Sequence, residues 1–418
     1  MKFKAVFSFT CLTAALCSSV YASNLTNFNE KNIGNLTKAI SQKNIHIVHF
    51  GDSHTAADEM TDALRVSLQQ SLGNGGMGWG MPMYFAGQRM ARFGYDNVGW
   101  TPISSRAQHV GNYTIGGMNA IPQYSGATLT IKAKQSYEAT QKILVSIRQA
   151  PDDGKFTGID ADGRHFTLEA PIKNNTWQTV EFIAKLPFTI TAQQTSHSAL
   201  GGWWARNLNG SGAIISPIGI NGAELTHWNR WNQGWGSELA KASPQLVILA
   251  YGTNEAYNDR VDIEQTRDTL IHTIQKIRQA TPQTAIMILS APESLKNTTG
   301  ECGSRPMKLT AMQNMQKQVA QYTQTLFWDW QQAMGGSCSM KTWIRQGKGL
   351  KDGVHFSKVG YQTLGQQLAQ DILNITNGSS NVEVVPTTVH YSSQVPQNLG
   401  YAKICLEGAS ECLSIGRE

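Results

Sequence analysis

Charge is scarce in this 418-residue chain: 15% of residues are Asp, Glu, Lys or Arg, against 40% hydrophobic. That balance excludes a disordered chain and a charge-rich coiled coil, and it leaves enough apolar material for a sizeable core. Cysteine is also rare, six in all, and none has the close spacing of a zinc ribbon, so no metal is expected. Apolar runs are short. Beyond the first stretch, none approaches the roughly 20 residues that span a bilayer. Basic residues exceed acidic ones by 35 to 29, yet they stand singly and form no stripe of the kind that binds nucleic acid. There is no internal repeat. Glycine and tryptophan are plentiful, 39 and 11, a loop-rich and aromatic-rich balance that suits proteins handling carbohydrate. The small positive excess has a plain reading as ordinary solubility and also suits an anionic polymer.

The first residues read as an export signal. Lys2 and Lys4 form a basic start, Ala5 to Leu16 an apolar stretch, and Val20-Tyr21-Ala22 a small-residue cleavage site. Leu16 before Cys17 is bulkier than lipoprotein processing normally tolerates. Losing residues 1–22 takes Lys+Arg from 35 to 33 and the net charge from +6 to +4. Cys11 and Cys17 leave with the signal, and the four remaining cysteines of an exported chain predict disulfides. Cys405 and Cys412 flank a short turn and pair with each other; Cys302 and Cys338 pair by elimination.

The rest alternates between two rhythms. Ile45 to Phe50 is a β-branched run, followed by Ala57, Met60, Leu64, Leu68 and Leu72 at helical spacing up to Gly73. Leu246 to Ala250, Ala285 to Leu289 and Leu326 to Trp328 are further apolar strands. Ile263 to Ile277 and Tyr361 to Ile372 carry helical patterns. Strands buried on both faces and alternating with helices predict a doubly wound parallel sheet, an α/β fold. Between Gly111 and Gln194 the runs are short, strand-like and uninterrupted by helices, which predicts an inserted antiparallel sandwich or jelly roll. The segments are thus 1–22, 23–110, the insert 111–194, 195–376, and a linker and tail over 377–418. The glycine-rich stretch Gly73 to Gly80 has no Lys-Ser/Thr after it, so it is no phosphate loop. Trp79, Trp203, Trp204, Trp228, Trp231 and Trp235 are candidates for stacking on sugar or for core packing.

Three loops sit where an open α/β sheet places its chemistry, at the carboxyl ends of strands. Gly51-Asp52-Ser53-His54 holds a serine at a strand-to-helix turn, where helix N-terminal amides flank its hydroxyl. In Tyr251-Gly252-Thr253-Asn254-Glu255, Asn254 offers a side-chain amide donor. In Asp352-Gly353-Val354-His355, a carboxylate and an imidazole three residues apart can touch, leaving the second ring nitrogen for Ser53. Taken singly, each has a plainer reading: an N-cap serine, a turn asparagine, a surface pair.

Together and in this order, the loops resemble the SGNH (GDSL-like) serine esterases. Ser53 matches the nucleophile block, Gly222 in Gly219-Ile220-Asn221-Gly222-Ala223 the second block, Asn254 the third, and Asp352 with His355 the last. The resemblance implies a flavodoxin-like SGNH-hydrolase sheet carrying a carbohydrate-binding-like β insert. It also implies catalysis by Ser53, Asp352 and His355, with an oxyanion hole from Ser53, Gly222 and Asn254. The inserted β module, Gly201-Gly202-Trp203-Trp204, Pro292 to Lys296 and Gly335 to Met340 are similar to the peptidoglycan O-acetylesterases of Gram-negative bacteria. That likeness implies a periplasmic enzyme acting on O-acetylated glycan strands without cofactor or metal. No nucleic-acid partner and no integral membrane segment in the mature chain are expected. Two rivals are acetyl transfer by the same triad and a wall-binding protein whose catalytic frame has decayed.

Overall fold

In the computed structural model, the described residues are 23–135, 139–193, 197–208 and 210–377, together with the backbone of short strands at Glu383–Val384, Val389–Tyr391, Tyr401–Leu406 and Leu413–Gly416. The signal segment 1–22 and the Cys405–Cys412 pairing lie outside them.

Ile45, Ile47, Val48 and Phe50 are all fully buried, as befits a strand covered on both faces. This strand, β1 (Asn44–Gly51), is central to a parallel set with β2 (Gly212–Gly219), β3 (Leu246–Ala250), β4 (Ala285–Leu289) and β5 (Leu326–Trp328). Their order is β2-β1-β3-β4-β5, extended by the antiparallel strand Leu25–Asn27 and, beyond it, by Glu383–Val384. Consecutive strands therefore run outward in both directions from β1, and the order switches between β1 and β3. A crevice for ligand opens at such a switch point. β2 escapes a reading by apolar runs because Pro217 interrupts it. Proline is tolerated there since β2 is the outermost strand of the sheet, where its missing N–H breaks no ladder bond.

The helical pattern after β1 is two elements rather than one: a short turn α1 (Ser53–Ala56) and α2 (Glu59–Leu72). Asp58, at φ 51°, is the left-handed break between them. The last helix, α3 (Lys358–Asn374), packs along α2. They approach closely at Gly365, where a Cβ would lie 2.4 Å from the Met60 carbonyl oxygen. This packing brings the loop before α3 to the turn after β1, across some 300 residues of sequence.

The antiparallel part forms two sheets. One has the order 165–168, 156–159, 188–192, 128–133, 93–98; the other 177–184, 141–148, 199–207, 118–122, 100–104, with Gly78–Gly80 also paired to 199–207. Aromatic rings join them: Phe182 lies 5.4 Å from Phe188, and Phe188 lies 5.3 Å from Trp203. The boundaries 111–194 are too narrow for this unit. Strands Phe93–Val98 and Trp100–Ser104 precede Gly111, and Ala199–Asn207 follows Gln194. Their alternation is hard to read because the solvent-facing positions include Pro102 and Gly94 and because Gly201 and Gly202 lie in a bulge of Ala199–Asn207 between Leu200 and Trp203. The hydrophobic core is also continuous, running from Phe50, Val247 and Phe327 of the α/β frame to Leu129, Val145 and Phe188 of the sandwich. Cutting out 111–194 would open that shared core.

Candidate active site

Register places the three loops side by side. Gly51 at the end of β1 pairs with Gly219 of β2 and with Ala250 of β3. Chains leaving adjacent strands at one level are about 5 Å apart. Ser53, Gly222 and Asn254 thus emerge around one crevice.

Asp52 caps the short turn α1, its carboxylate accepting the His54 N–H at 3.0 Å. Ser53 is the first residue of that turn, so its own N–H has no intrahelical acceptor. Its hydroxyl is 2.9 Å from His355 Nε2, and His355 Nδ1 is 2.7 Å from Asp352 Oδ2. The other oxygen of Asp352 accepts the Val354 and His355 N–H groups at 2.9 and 3.0 Å. Burial works to raise the Asp352 pKa, but the His355 side chain and these two N–H groups outweigh it and hold the carboxyl below its ordinary range. An ionised Asp352 places the neutral ring's proton on Nδ1 and leaves Nε2 to accept from Ser53. The site is open: the side chains of His355 and Asp352 are 38% and 47% exposed.

The second and third loops meet beside Ser53. Gly222 adopts φ 69°, a left-handed conformation that favours glycine. Arg106, from the sandwich, donates through Nε to the Gly222 carbonyl at 3.2 Å. Asn254 donates one side-chain N–H to the Ala223 carbonyl at 2.9 Å; its amide thereby has a fixed orientation and a second N–H to spare. Buried Glu255 receives the Leu225 N–H at 2.9 Å and the Gly252 N–H at 3.0 Å, clamping the two loops together. Burial, reinforced by the nearby Asp52, pushes the Glu255 pKa up to about 7. Burial likewise raises Asp52 to about 6, against hydrogen bonds from His54 and Thr253.

Behind the triad, His54 is buried and its Nδ1 lies 2.9 Å from the Tyr361 hydroxyl. Burial lowers its pKa to about 3, which keeps it neutral beside His355. Its ring packs against that of His355 at 5.4 Å.

Sequence reading brings together Ser53, Asp352, His355, Gly222 and Asn254. It misses the residues that hold them: Asp52, Thr253 and Glu255, adjacent to motif residues and capable of being suspected, and Arg106, 116 residues from its partner and without any local signal. The candidate sugar platforms are core residues. Trp79, Trp203, Trp204, Trp228, Trp231 and Trp235 are all buried. The indole N–H groups of Trp203, Trp204 and Trp228 are spent on Pro82, Glu238 and Tyr251.

The Cys302–Cys338 disulfide is formed, with Cα atoms 4.8 Å apart. It anchors a segment whose Leu295 N–H donates to the Gly353 carbonyl at 2.8 Å, inside the Asp352–His355 loop. Closing this loop of 36 residues is worth about 3–4 kcal/mol in the chain-entropy model. Replacing both cysteines by serine is expected to lower the unfolding free energy by that amount, as read by denaturant titration. Peptide mass analysis without reductant should show the cross-linked pair.

Two family models match the chain: "Peptidoglycan O-acetylesterase, N-terminal" over residues 75–189 and "GDSL-like Lipase/Acylhydrolase family" over residues 188–363. Among solved structures, a peptidoglycan O-acetylesterase is 36% identical, covering 85% of this chain and 100% of its own, with a TM-score of 0.78. An acetyl xylan esterase is 12% identical over 38% of this chain and 80% of its own, TM-score 0.31. A family two carbohydrate esterase from Cellvibrio japonicus is 10% identical over 68% and 99%, TM-score 0.29. No match was found among the curated proteins. The sheet order, the inserted sandwich and the 36% identity along the whole of that esterase chain agree, and on these grounds this chain belongs to the peptidoglycan O-acetylesterases, within the GDSL-like acylhydrolases.

Proposed function

We propose that this protein is an exported serine esterase that removes the O-6 acetyl group from muramic acid in peptidoglycan, working in the periplasm. The observation that carries the reading is the unbroken relay from Ser53 Oγ through His355 to Asp352, at 2.9 and 2.7 Å, on a chain of this family.

His355 Nε2 takes the Ser53 proton as Oγ attacks the acetyl carbonyl, and Asp352 stabilises the imidazolium that results. The tetrahedral oxyanion is received by the Ser53 and Gly222 N–H groups and by the spare N–H of Asn254. Collapse expels the sugar C6 oxygen, which takes the proton from His355. Water then enters, gives its proton to His355 and attacks the acetyl-Ser53 carbonyl. Acetate leaves and the serine is restored. These steps draw on no metal and no cofactor. Among the described residues no helix is long and apolar enough to cross a membrane.

Hydrolysis rather than transfer is supported by the open triad. A transferase must keep water from the acetyl-enzyme, and the half-exposed Asp352 and His355 leave it a path. With an activated acetyl ester and abundant chitooligosaccharide, free acetate is the expected main product; acetylated sugar in excess of acetate would assign a transferase. The direct test of the whole reading is acetate release from O-acetylated peptidoglycan by the purified protein, compared with Ser53→Ala.

A further inference from the structure

A groove of about 940 Å³ is formed by the segment 81–95, which leads into the sandwich, and by residues 132–134 of the sandwich. Met81, Met90 and Phe93 form an apolar floor, and Arg89, Lys132 and Lys134 bring three cations to it. Lys132 is paired with Asp96 at 2.6 Å. Arg89 and Lys134 are exposed and, among the described residues, neither side chain has an acidic partner. The groove therefore presents two uncompensated positive charges over apolar surface.

Its near wall is bound to the catalytic crevice through backbone. The Arg89 N–H donates to the Ala56 carbonyl at 3.1 Å, and Ala56 ends the turn that Ser53 begins. Less than one helical turn, about 5.4 Å, separates those residues along the helix axis. The Gly87 carbonyl accepts from the Asn221 side chain at 2.6 Å, next to Gly222. A sugar whose acetyl group sits at Ser53 thus has this groove roughly 10 Å away, one helical turn plus one interchain spacing.

We infer that the groove binds the carboxylate-bearing stem peptide attached to the muramic acid being deacetylated, with Arg89 and Lys134 as its recognition residues. This rests on the function proposed above and names the part of the substrate that the crevice leaves unaddressed. Neutral glycan offers nothing for two unpaired cations. A stem peptide supplies carboxylates for Arg89 and Lys134 and aliphatic side chains for the exposed ring of Tyr84 over the apolar floor. Several extended residues at about 3.3–3.6 Å each span the distance from sugar to groove.

The test uses the mature enzyme on two substrates: O-acetylated glycan strands carrying their peptides, and the same strands after amidase has removed them. The double variant Arg89→Glu/Lys134→Glu is expected to raise KM about tenfold on the peptide-bearing strands, by like-charge repulsion in place of attraction. Amidase leaves a lactyl carboxylate on each stripped muramic acid, beside the sugar and short of the groove, so KM on the stripped strands should rise much less than on the peptide-bearing ones. The rate with a small acetyl ester should stay at the wild-type value. Arg89→Gln/Lys134→Gln should show a smaller rise of the same selectivity, which separates charge from misfolding. An unchanged KM on peptide-bearing strands, or equal rises on both substrates, would overturn the inference. The function proposed above is judged separately, by wild-type acetate release from the stripped strands.

Discussion

Ser53→Ala and His355→Ala are each expected to lower kcat for acetyl-ester hydrolysis by on the order of 10⁴–10⁶, because nucleophile and base act as one unit. The fold should survive both changes. The Ser53 hydroxyl is bonded to His355, and His355 is partly exposed, so neither side chain supports the core. The double variant should be no slower than the worse single one, since removing either member already disables the relay. Asp352→Ala should cost less. The His355 loop retains its backbone bonds from Leu350 to the His355 carbonyl and from Leu295 to Gly353, each 2.8 Å, and these continue to aim the ring. Steady-state kinetics on a chromogenic acetyl ester, with circular dichroism as the control for folding, checks all three. Near-wild-type turnover by a folded Ser53→Ala protein would refute the mechanism.

Asn254→Ala should reduce kcat by about 10²–10³, the usual cost of one oxyanion donor, or roughly 2.7–4 kcal/mol. Two contributions merge in that number. One is the lost N–H toward the oxyanion; the other is the lost bond to the Ala223 carbonyl, which holds the Gly222 loop against the β3 loop. Glu255→Gln separates them. It leaves Asn254 in place but turns an NH₂ group toward one of the two backbone N–H groups that Glu255 now accepts, loosening the same pair of loops. If loop position were the whole effect, Glu255→Gln would match Asn254→Ala. An effect on kcat in Asn254→Ala well beyond that in Glu255→Gln identifies direct stabilisation of the oxyanion. A change confined to KM in Asn254→Ala would instead make it a ground-state binding residue.

What could be read without coordinates is what short-range chemistry writes into the chain. The parallel sheet is legible because β1, β3, β4 and β5 are apolar runs bounded by helical periodicity. Ser53, two residues past β1, and Asp352 with His355, just before α3, are legible as candidates because they lie in compact motifs at strand and helix ends, and as a set through the resemblance of those motifs to the SGNH esterases. The limits of this reading follow from the same fact. The edge strand β2 looks broken at Pro217 because local pattern carries no information on where a strand lies in its sheet. The sandwich extends beyond 111–194 because pairing of Phe93–Val98 with Thr128–Ala133 depends on partners dozens of residues away. The fate of the tryptophans is equally non-local: an indole that reads as a sugar platform is core once Phe50, Trp228, Trp231 and Trp235 close on one another.

By itself, then, the sequence determined the α/β class and the presence of an all-β insert, since each is written in local periodicity, while the five crevice residues stood out as a set through the resemblance of their loops to the SGNH esterases. Only the tertiary structure decided what holds and surrounds them. α2 against α3 sets the distance between Ser53 and His355, Glu255 joins two loops 30 residues apart, and Arg106 reaches Gly222 across 116. The physical reason is that these contacts come from burial and hydrogen bonding between distant segments, which are satisfied once the chain has folded and leave no periodicity in it beforehand.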